Sequence, residues 1–218
     1  MKMAERLKTI KDKLYEAYPM LQSCDCDIVG AFELLKQAYI NDKVLYIAGN
    51  GGSAADSEHI VGELMKAFKI HRPADPSVSE YLRGQCGESG LELSEKLEGA
   101  LRAISLPSML CVSTAFMNDK DPAAVFAQQI NALGRADDVF LAISTSGNSK
   151  NILLACMAAH ARGMKVIGLT GATGGKMTDL CDITIKAPSQ ETYAIQEYHL
   201  PIYHALCAML EEWFFGEE

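Results

Sequence analysis

No stretch of the 218 residues reaches the ~18 consecutive apolar positions of a membrane-spanning helix. Basic residues are few: 20 Lys+Arg stand against 28 Asp+Glu, a formal charge of −8. That balance removes the global basic footprint of a nucleic-acid binder and disfavours a lipid-surface protein. It leaves small anions open, because a local loop can hold a phosphate against the global field. No CxxC pair occurs, and the cysteines (24, 26, 86, 111, 156, 181 and 207) are seven, an odd and scattered set. Several lie in apolar runs such as Met109–Val112, so they read as buried free thiols in a reducing compartment. The first ten residues alternate charged and apolar types and lack the form of a signal peptide, so the expected location is the cytoplasm. There is no GxxxxGK[ST] segment, which excludes P-loop chemistry.

What is present is an ordinary globular composition, 49% hydrophobic and 22% charged, which argues against disorder and coiled coil. The length suits one domain, 1–218, able to bury a core without disulfide or metal staples. Residues 1–42 read as a helical pair. One apolar stripe is Met3, Leu7, Ile10, Leu14 and Ala17; the second is Ile28, Phe32, Leu35 and Ala38. The pair could pack on another subunit or on its own domain. From residue 43 short apolar runs alternate with helical segments. The runs are 44–48, 108–112, 139–144, 165–170 and 183–185; the expected helices are 54–68, 122–132, 151–161, 176–180 and 193–215. Five buried strands each followed by a helix predict an α/β fold with a parallel sheet and ligands beyond the strands' carboxyl ends. The stretch of about 70–105 breaks this rhythm. It reads as an insertion, a lid or a subunit contact, with a charged helical run from Leu91 to Ile104.

Two loops are suited to an anion. The first strand runs into Asn50, Gly51, Gly52 and Ser53 after Gly49, and a helix starts at once. Glycine permits close backbone approach, the helix start offers free N–H groups and the positive dipole end, and Ser53 adds a hydroxyl. The third strand ends in Ser144, Thr145 and Ser146, then Gly147, Asn148 and Ser149, again before a helix. One hydroxyl serves as an N-cap; four exceed what capping needs. The first loop also fits GxGxxA, but a dinucleotide site would have an acid after the second strand, where the chain has Val112-Ser113-Thr114.

Candidate acid–base and metal groups lie on two helices. His59 and Glu63 are four apart, on one helix face, which is half a metal site or a plain surface contact. On the last helix Gln196, Leu200 and His204 share a face, with Gln196 and His204 about 12 Å apart along the axis. They could converge only on a ligand placed midway or through a distorted helix. Glu197 and His199 point elsewhere and read as structural or interface residues. Asn118-Asp119, expected after the second strand, is either a helix N-cap or a sugar-hydroxyl contact.

Taken together these segments resemble the sugar isomerase (SIS) domain superfamily, and within it the phosphoheptose isomerase branch. The resemblance rests on Gly49–Asp56, His59-x-x-x-Glu63, Asn118-Asp119, Ser144–Ser149, Leu169–Gly171 with Gly174–Met177, and Gln196-Glu197-x-His199 with His204. It implies a five-stranded parallel sheet flanked by helices and, usually, a homotetramer. It implies that Asn50, Gly51, Gly52, Ser53, Asn118, Asp119, Ser144, Thr145, Ser146, Ser149 and Gln196 bind a sugar phosphate. It also implies zinc on His59, Glu63, Gln196 and His204, with Glu63 as general base and His204 as general acid. The implied reaction is aldose–ketose isomerisation through an enediol, with sedoheptulose 7-phosphate as the expected substrate. That chemistry needs a base at carbon, an acid at oxygen and something to stabilise the oxyanion. The insertion departs from the family's typical isomerase. The alternatives are a non-catalytic SIS module, sensing a sugar phosphate or associating with a replication initiator, and an isomerase of another phosphosugar.

Overall fold

Three apolar runs alternate between two cores with the period of a strand, and a fourth, at 183–187, faces one of them. Leu45, Ile47, Leu141, Ile143, Ile167, Leu169 and Ile185 enter one cluster, whereas Tyr46, Ala48, Phe140, Ala142 and Val166 enter the other. Both faces are therefore covered, as the unbroken apolar runs of a parallel sheet require. A computed structural model describes residues 2–216; Met1, Glu217 and Glu218, the ends of the expected 1–218 domain, lie outside the described residues.

The chain order is α1 (Met3–Ala17), a 3-10 turn (Pro19–Cys24), α2 (Asp25–Ile40), β1 (Leu45–Ala48), α3 (Gly52–Met65), α4 (Pro76–Gln85) and α5 (Gly87–Lys96). There follow β2 (Ala103–Ser105), α6 (Leu110–Asp119), a 3-10 turn (Pro122–Ala124), α7 (Val125–Leu133), β3 (Val139–Ser144) and α8 (Lys150–Ala161). The last elements are β4 (Lys165–Gly171), a 3-10 turn (Gly175–Leu180), β5 (Ile183–Ala187) and α9 (Thr192–Phe215). All neighbouring strands pair in parallel, in the order β2-β1-β3-β4-β5. The order reverses between β1 and β3, which makes the carboxyl ends of those two strands the switch point where such sheets bind ligands.

The N-terminal pair packs on its own sheet. Leu14, Ile28, Phe32 and Leu35 are buried with Ile202, Leu206 and Leu210 of α9. The second strand differs from the expected one. It is Ala103–Ser105, in register with Leu45–Ile47, and the run expected at 108–112 opens α6. A short apolar run does not distinguish strand from helix by periodicity. Here Leu110 is 70% exposed, as a helix permits and a buried strand does not, and Cys111 is exposed rather than buried. The helical run expected to Ile104 ends at Lys96, so the end of the stretch assigned to the insertion is β2 itself. The segment at 176–180 is a 3-10 turn.

One buried ion pair ties the chain after α3 to α9. Arg72 and Glu211 are both buried, with Nε to Oε1 at 2.8 Å. Glu211 also accepts the backbone N–H groups of Phe68 (2.7 Å) and Lys69 (2.8 Å). Arg72 donates onward to the carbonyls of Leu64 (2.7 Å) and Glu63 (2.8 Å), and its guanidinium lies 5.0 Å from the Phe215 ring centre. Those carbonyls belong to the last turn of α3, where no intrahelical partner exists. Glu211→Ala should lower stability by about 3–5 kcal/mol, because it strands a buried guanidinium. Urea unfolding at neutral pH checks this; a loss below about 1 kcal/mol would mean that the pair holds nothing.

Candidate active site at the strand switch point

The two loops meet where the sheet order reverses. Asn50, after β1, and Asn151, in the first turn of α8, exchange amide hydrogen bonds of 3.0 and 2.8 Å. Gly51 holds φ at +56° as the residue before α3, a conformation natural to glycine. A Cβ on Gly52 would stand 2.7 Å from Gln196 Nε2, so a side chain there would push the Gln196 amide aside. Gln196 therefore lies over the amino end of α3, beside the first loop. Ser53 is buried directly behind it.

The second loop is internally braced. Ser144 and Ser149 share a hydrogen bond of 3.0 Å between hydroxyls, and the Asn148 N–H donates to Ser146 Oγ at 3.2 Å. Gly147, at φ +63°, packs against the Gly174 carbonyl, and Asn148 Oδ1 accepts the Lys176 N–H at 3.1 Å. The loop after β4 thus supports the loop after β3. Ser144 is buried, Thr145 and Ser149 are half-buried and Ser146 is exposed. Ser149 occupies the N-cap position of α8, yet its hydroxyl turns to Ser144 instead of capping.

The acid–base residues form a chain between α3 and α9. His59 Nε2 stands 3.2 Å from Glu63 Oε1, and His59 Nδ1 stands 2.9 Å from the Tyr203 hydroxyl. The His59 and His204 rings meet edge to face with centres 5.0 Å apart. Glu63 Oε2 and His204 Nε2 are both buried without a hydrogen-bond partner. Burial first, and the neighbouring His59 second, lower the His204 imidazole from its ordinary value, while Glu63 acts the other way. His204 also lines a cleft of about 320 Å³ with Phe68, Lys69, Leu200 and Lys13. A cavity of about 710 Å³ lies instead at Lys43, Asp137, Val139 and Lys165, the amino ends of the strands, away from this chemistry.

Nitrogen and carboxylate donors of this kind are those zinc takes. The two orphaned atoms, Glu63 Oε2 and His204 Nε2, are ones that a cation would satisfy, so the donor set fits a metal in kind. Among the described residues, however, no group of three or more His, Cys, Asp or Glu side chains is gathered as a preformed cage. Pro201 lies inside α9 between Gln196 and His204. It removes the N–H that would bond to the Glu197 carbonyl, so the helix has its weak point where the spacing of those two residues asks for distortion.

Asn118 and Asp119 do not sit at a strand end. They close α6, exposed, with Asn118 Nδ2 donating to Asp119 Oδ1 at 2.9 Å. Nor does Asp119 cap a helix start; Asp121 takes that role for the 3-10 turn beginning at Pro122. Among the described residues, neither makes a hydrogen bond to the two loops. Three partners were not evident in the sequence: Asn151, Tyr203 and the Arg72–Glu211 pair. Tyr203 sits in an apolar stretch of α9, and nothing in its spacing sets it apart.

Comparison with known proteins bears on the family and the fold. Residues 19–108 and 99–171 match the SIS domain family. The phosphoheptose isomerase of Aneurinibacillus thermoaerophilus is 40% identical over 179 residues, 82% of this chain and 77% of that one. The phosphoheptose isomerase of Geotalea daltonii is 36% identical over 215 residues, 97% of this chain and 98% of that one. Among solved structures, phosphoheptose isomerase from Neisseria gonorrhoeae superposes with a TM-score of 0.70 at 32% identity, covering 94% of this chain and 98% of that one. The enzyme from Francisella tularensis gives 0.71 at 27%, covering 97% and 100%.

His199 is a neutral, structural histidine. It is fully buried, its Nε2–H donates to the Thr170 carbonyl at 3.3 Å, and its Nδ1 has no partner. Burial pushes it from 6.5 down to about 4. The unfolded chain therefore binds the extra proton first as pH falls. The stability that depends on a neutral His199 is complete above pH ~6.5 and is lost between there and ~4, about 3 kcal/mol in all. Chemical unfolding of the parent and of His199→Gln across that window isolates the contribution. The parent should fall more steeply, and parallel curves would assign the buried ring no part in acid sensitivity.

Proposed function

We propose, for a chain that belongs to the SIS domain family and is a phosphosugar isomerase of the phosphoheptose isomerase branch, that its substrate is sedoheptulose 7-phosphate and its product a D-glycero-D-manno-heptose 7-phosphate. The names of the relatives at 36–40% identity support that choice of sugar and set aside a non-catalytic sensor or initiator partner. The observation that carries the chemistry is the pair of buried atoms without a hydrogen bond, Glu63 Oε2 in the last turn of the helix that leaves the first loop and His204 Nε2 on α9.

In this reading Ser53, Ser144, Thr145, Ser146 and Ser149 hold the phosphate with hydroxyls and backbone N–H groups, with Asn50, Gly51, Gly52 and Gln196 closing the pocket. Binding the remote phosphate fixes the reacting carbons against the acid–base groups. Glu63 removes a proton from C1, and His204 donates one to the C2 carbonyl oxygen, giving the enediol. The enediol then loses its O1 proton and gains one at C2, which completes the aldose. His59, Glu63, Gln196 and His204 are the residues that would hold zinc, which would supply positive charge near the carbonyl. Asn118 and Asp119, at the exposed end of α6, have weaker support as sugar contacts. A cytoplasmic homotetramer completes the reading. No helix among the described residues is long and apolar enough to cross a membrane. The exposed Leu110, Val112 and Met117 on α6 offer an apolar surface for a second subunit.

Glu63→Gln should lower turnover by at least ~10²-fold, the usual contribution of a general base, while sugar-phosphate affinity changes far less. NMR of deuterium uptake from heavy water into a panel of ketose and aldose phosphates, with zinc supplied, measures the chemistry directly. Exchange into the C7 sugar alone supports the proposed substrate. Exchange into another phosphosugar keeps the mechanism and replaces the substrate, and near-parental turnover in Glu63→Gln removes Glu63 from the base role.

A further inference from the structure

Tyr203 has one hydroxyl proton and two neighbours that could take it. Asp56 Oδ1 lies 3.3 Å away, and His59 Nδ1 lies 2.9 Å away. Asp56 has no other source: its Oδ2 is buried without a partner. A carboxylate deprived of its only donor carries the full desolvation cost of a buried charge. The imidazole has an alternative, since its Nδ1 can carry the ring's own proton and donate it to the phenol oxygen. The stable arrangement is therefore His59 Nδ1–H to Tyr203, and Tyr203 O–H to Asp56. In the neutral ring this leaves Nε2 as a bare lone pair, 3.2 Å from Glu63 Oε1. Two acceptors then face one another, an arrangement that a positive group between them would relieve; the exposed Lys66 ammonium reaches the other carboxylate oxygen, Oε2, at 3.8 Å and leaves the facing pair without one.

We infer that Tyr203 and Asp56 are positioning residues that set the tautomer of His59, holding its Nε2 lone pair toward Glu63 as a ligand for a divalent cation. The assignment deepens the proposed function and rests on its reading of His59 as a zinc ligand. Partners of this kind, on the far nitrogen of a metal-binding histidine, commonly govern affinity by 10–100-fold. They touch neither sugar nor metal, and Tyr203, 2% exposed, is shielded from both.

The test reads the proton, not the activity. Metal-free protein labelled with ¹⁵N-histidine is examined at about pH 9, where an ordinary imidazole is neutral. Long-range ¹⁵N–¹H correlations identify the protonated nitrogen, and the spectrum of His59→Gln assigns the signal. The parent should carry the proton on Nδ1. In Asp56→Ala the phenol is released to donate to the ring, so His59 should change to the Nε2–H form; Tyr203→Phe, which keeps the ring's volume, should leave a mixture. Unchanged His71 and His160 signals report an intact fold, and the parent spectrum decides the matter even where a variant fails to fold. An Nε2–H parent overturns the inference, as does the Nδ1–H form persisting in both variants. Zinc affinity by chelator competition should fall 10–100-fold in each variant. A parent that binds no zinc but shows the expected tautomers refutes the metal reading and still supports the positioning by Tyr203 and Asp56.

Discussion

The site depends on the Arg72–Glu211 pair, because it joins the two helices that carry the acid–base residues. His59 and Glu63 lie on α3, Gln196 and His204 on α9. Glu211 binds the chain leaving α3 at two backbone N–H groups, and Arg72 takes the carbonyls of Glu63 and Leu64. The end of α3 is thus closed by a guanidinium rather than by a glycine cap. A buried pair of this sort seldom stabilises more than apolar residues of the same volume would. Its contribution here is geometric. Apolar contacts tolerate sliding, whereas five charge-assisted hydrogen bonds of 2.7–2.8 Å from one pair do not. Displacement of about 1 Å between reacting groups is enough to lose much of a positioned reaction's advantage, so a rigid joint belongs next to Glu63.

The opposite end of α3 is fixed by different means. Its first turn emerges from a glycine loop that is tied to α8 through Asn50 and Asn151 and covered by Gln196. No lysine or arginine takes part. In the proposed reading, phosphate recognition would fall to hydroxyls, backbone N–H groups and helix ends. Such a cradle would bind without a neutralising cation, which would favour release as well as capture.

The alternating pattern of the sheet was readable because the three central strands are buried on both faces and β5 on one, so apolar runs and strands coincide. The exception is instructive. Ala103–Ser105 is three residues long and at the sheet edge, too short to stand out, while the neighbouring run with Leu110 and Val112 is more apolar and belongs to a helix. Mistaking that run moved Asn118-Asp119 to a strand end and Cys111 into the core. The serine and glycine loops were legible because their composition exceeds what capping requires. The His59–Tyr203–Asp56 chain was not, since it joins residues 144 and 147 positions apart through one phenol. Spacing rules along one helix cannot reveal a partner on another.

The electrostatics of the three side chains around Glu63 then limit what each can do. Two imidazoles with centres 5.0 Å apart cannot both be protonated cheaply, and burial weighs further against His204. A neutral His204 still offers an N–H, and a neutral imidazole donor suits an oxygen that becomes negative only as the reaction proceeds. Its strength as a donor then rises with the charge it stabilises, instead of binding the ground-state carbonyl tightly. Glu63, by contrast, has one oxygen beside His59 and one without a hydrogen bond, 3.8 Å from the Lys66 ammonium. In the proposed reading the oxygen without a hydrogen bond is the one that would take a proton from carbon or meet a cation, while the other stays beside the imidazole. The proposed division of labour between base and acid would therefore rest on burial and on which atoms lack hydrogen bonds, and it would require α3 and α9 to stay locked together.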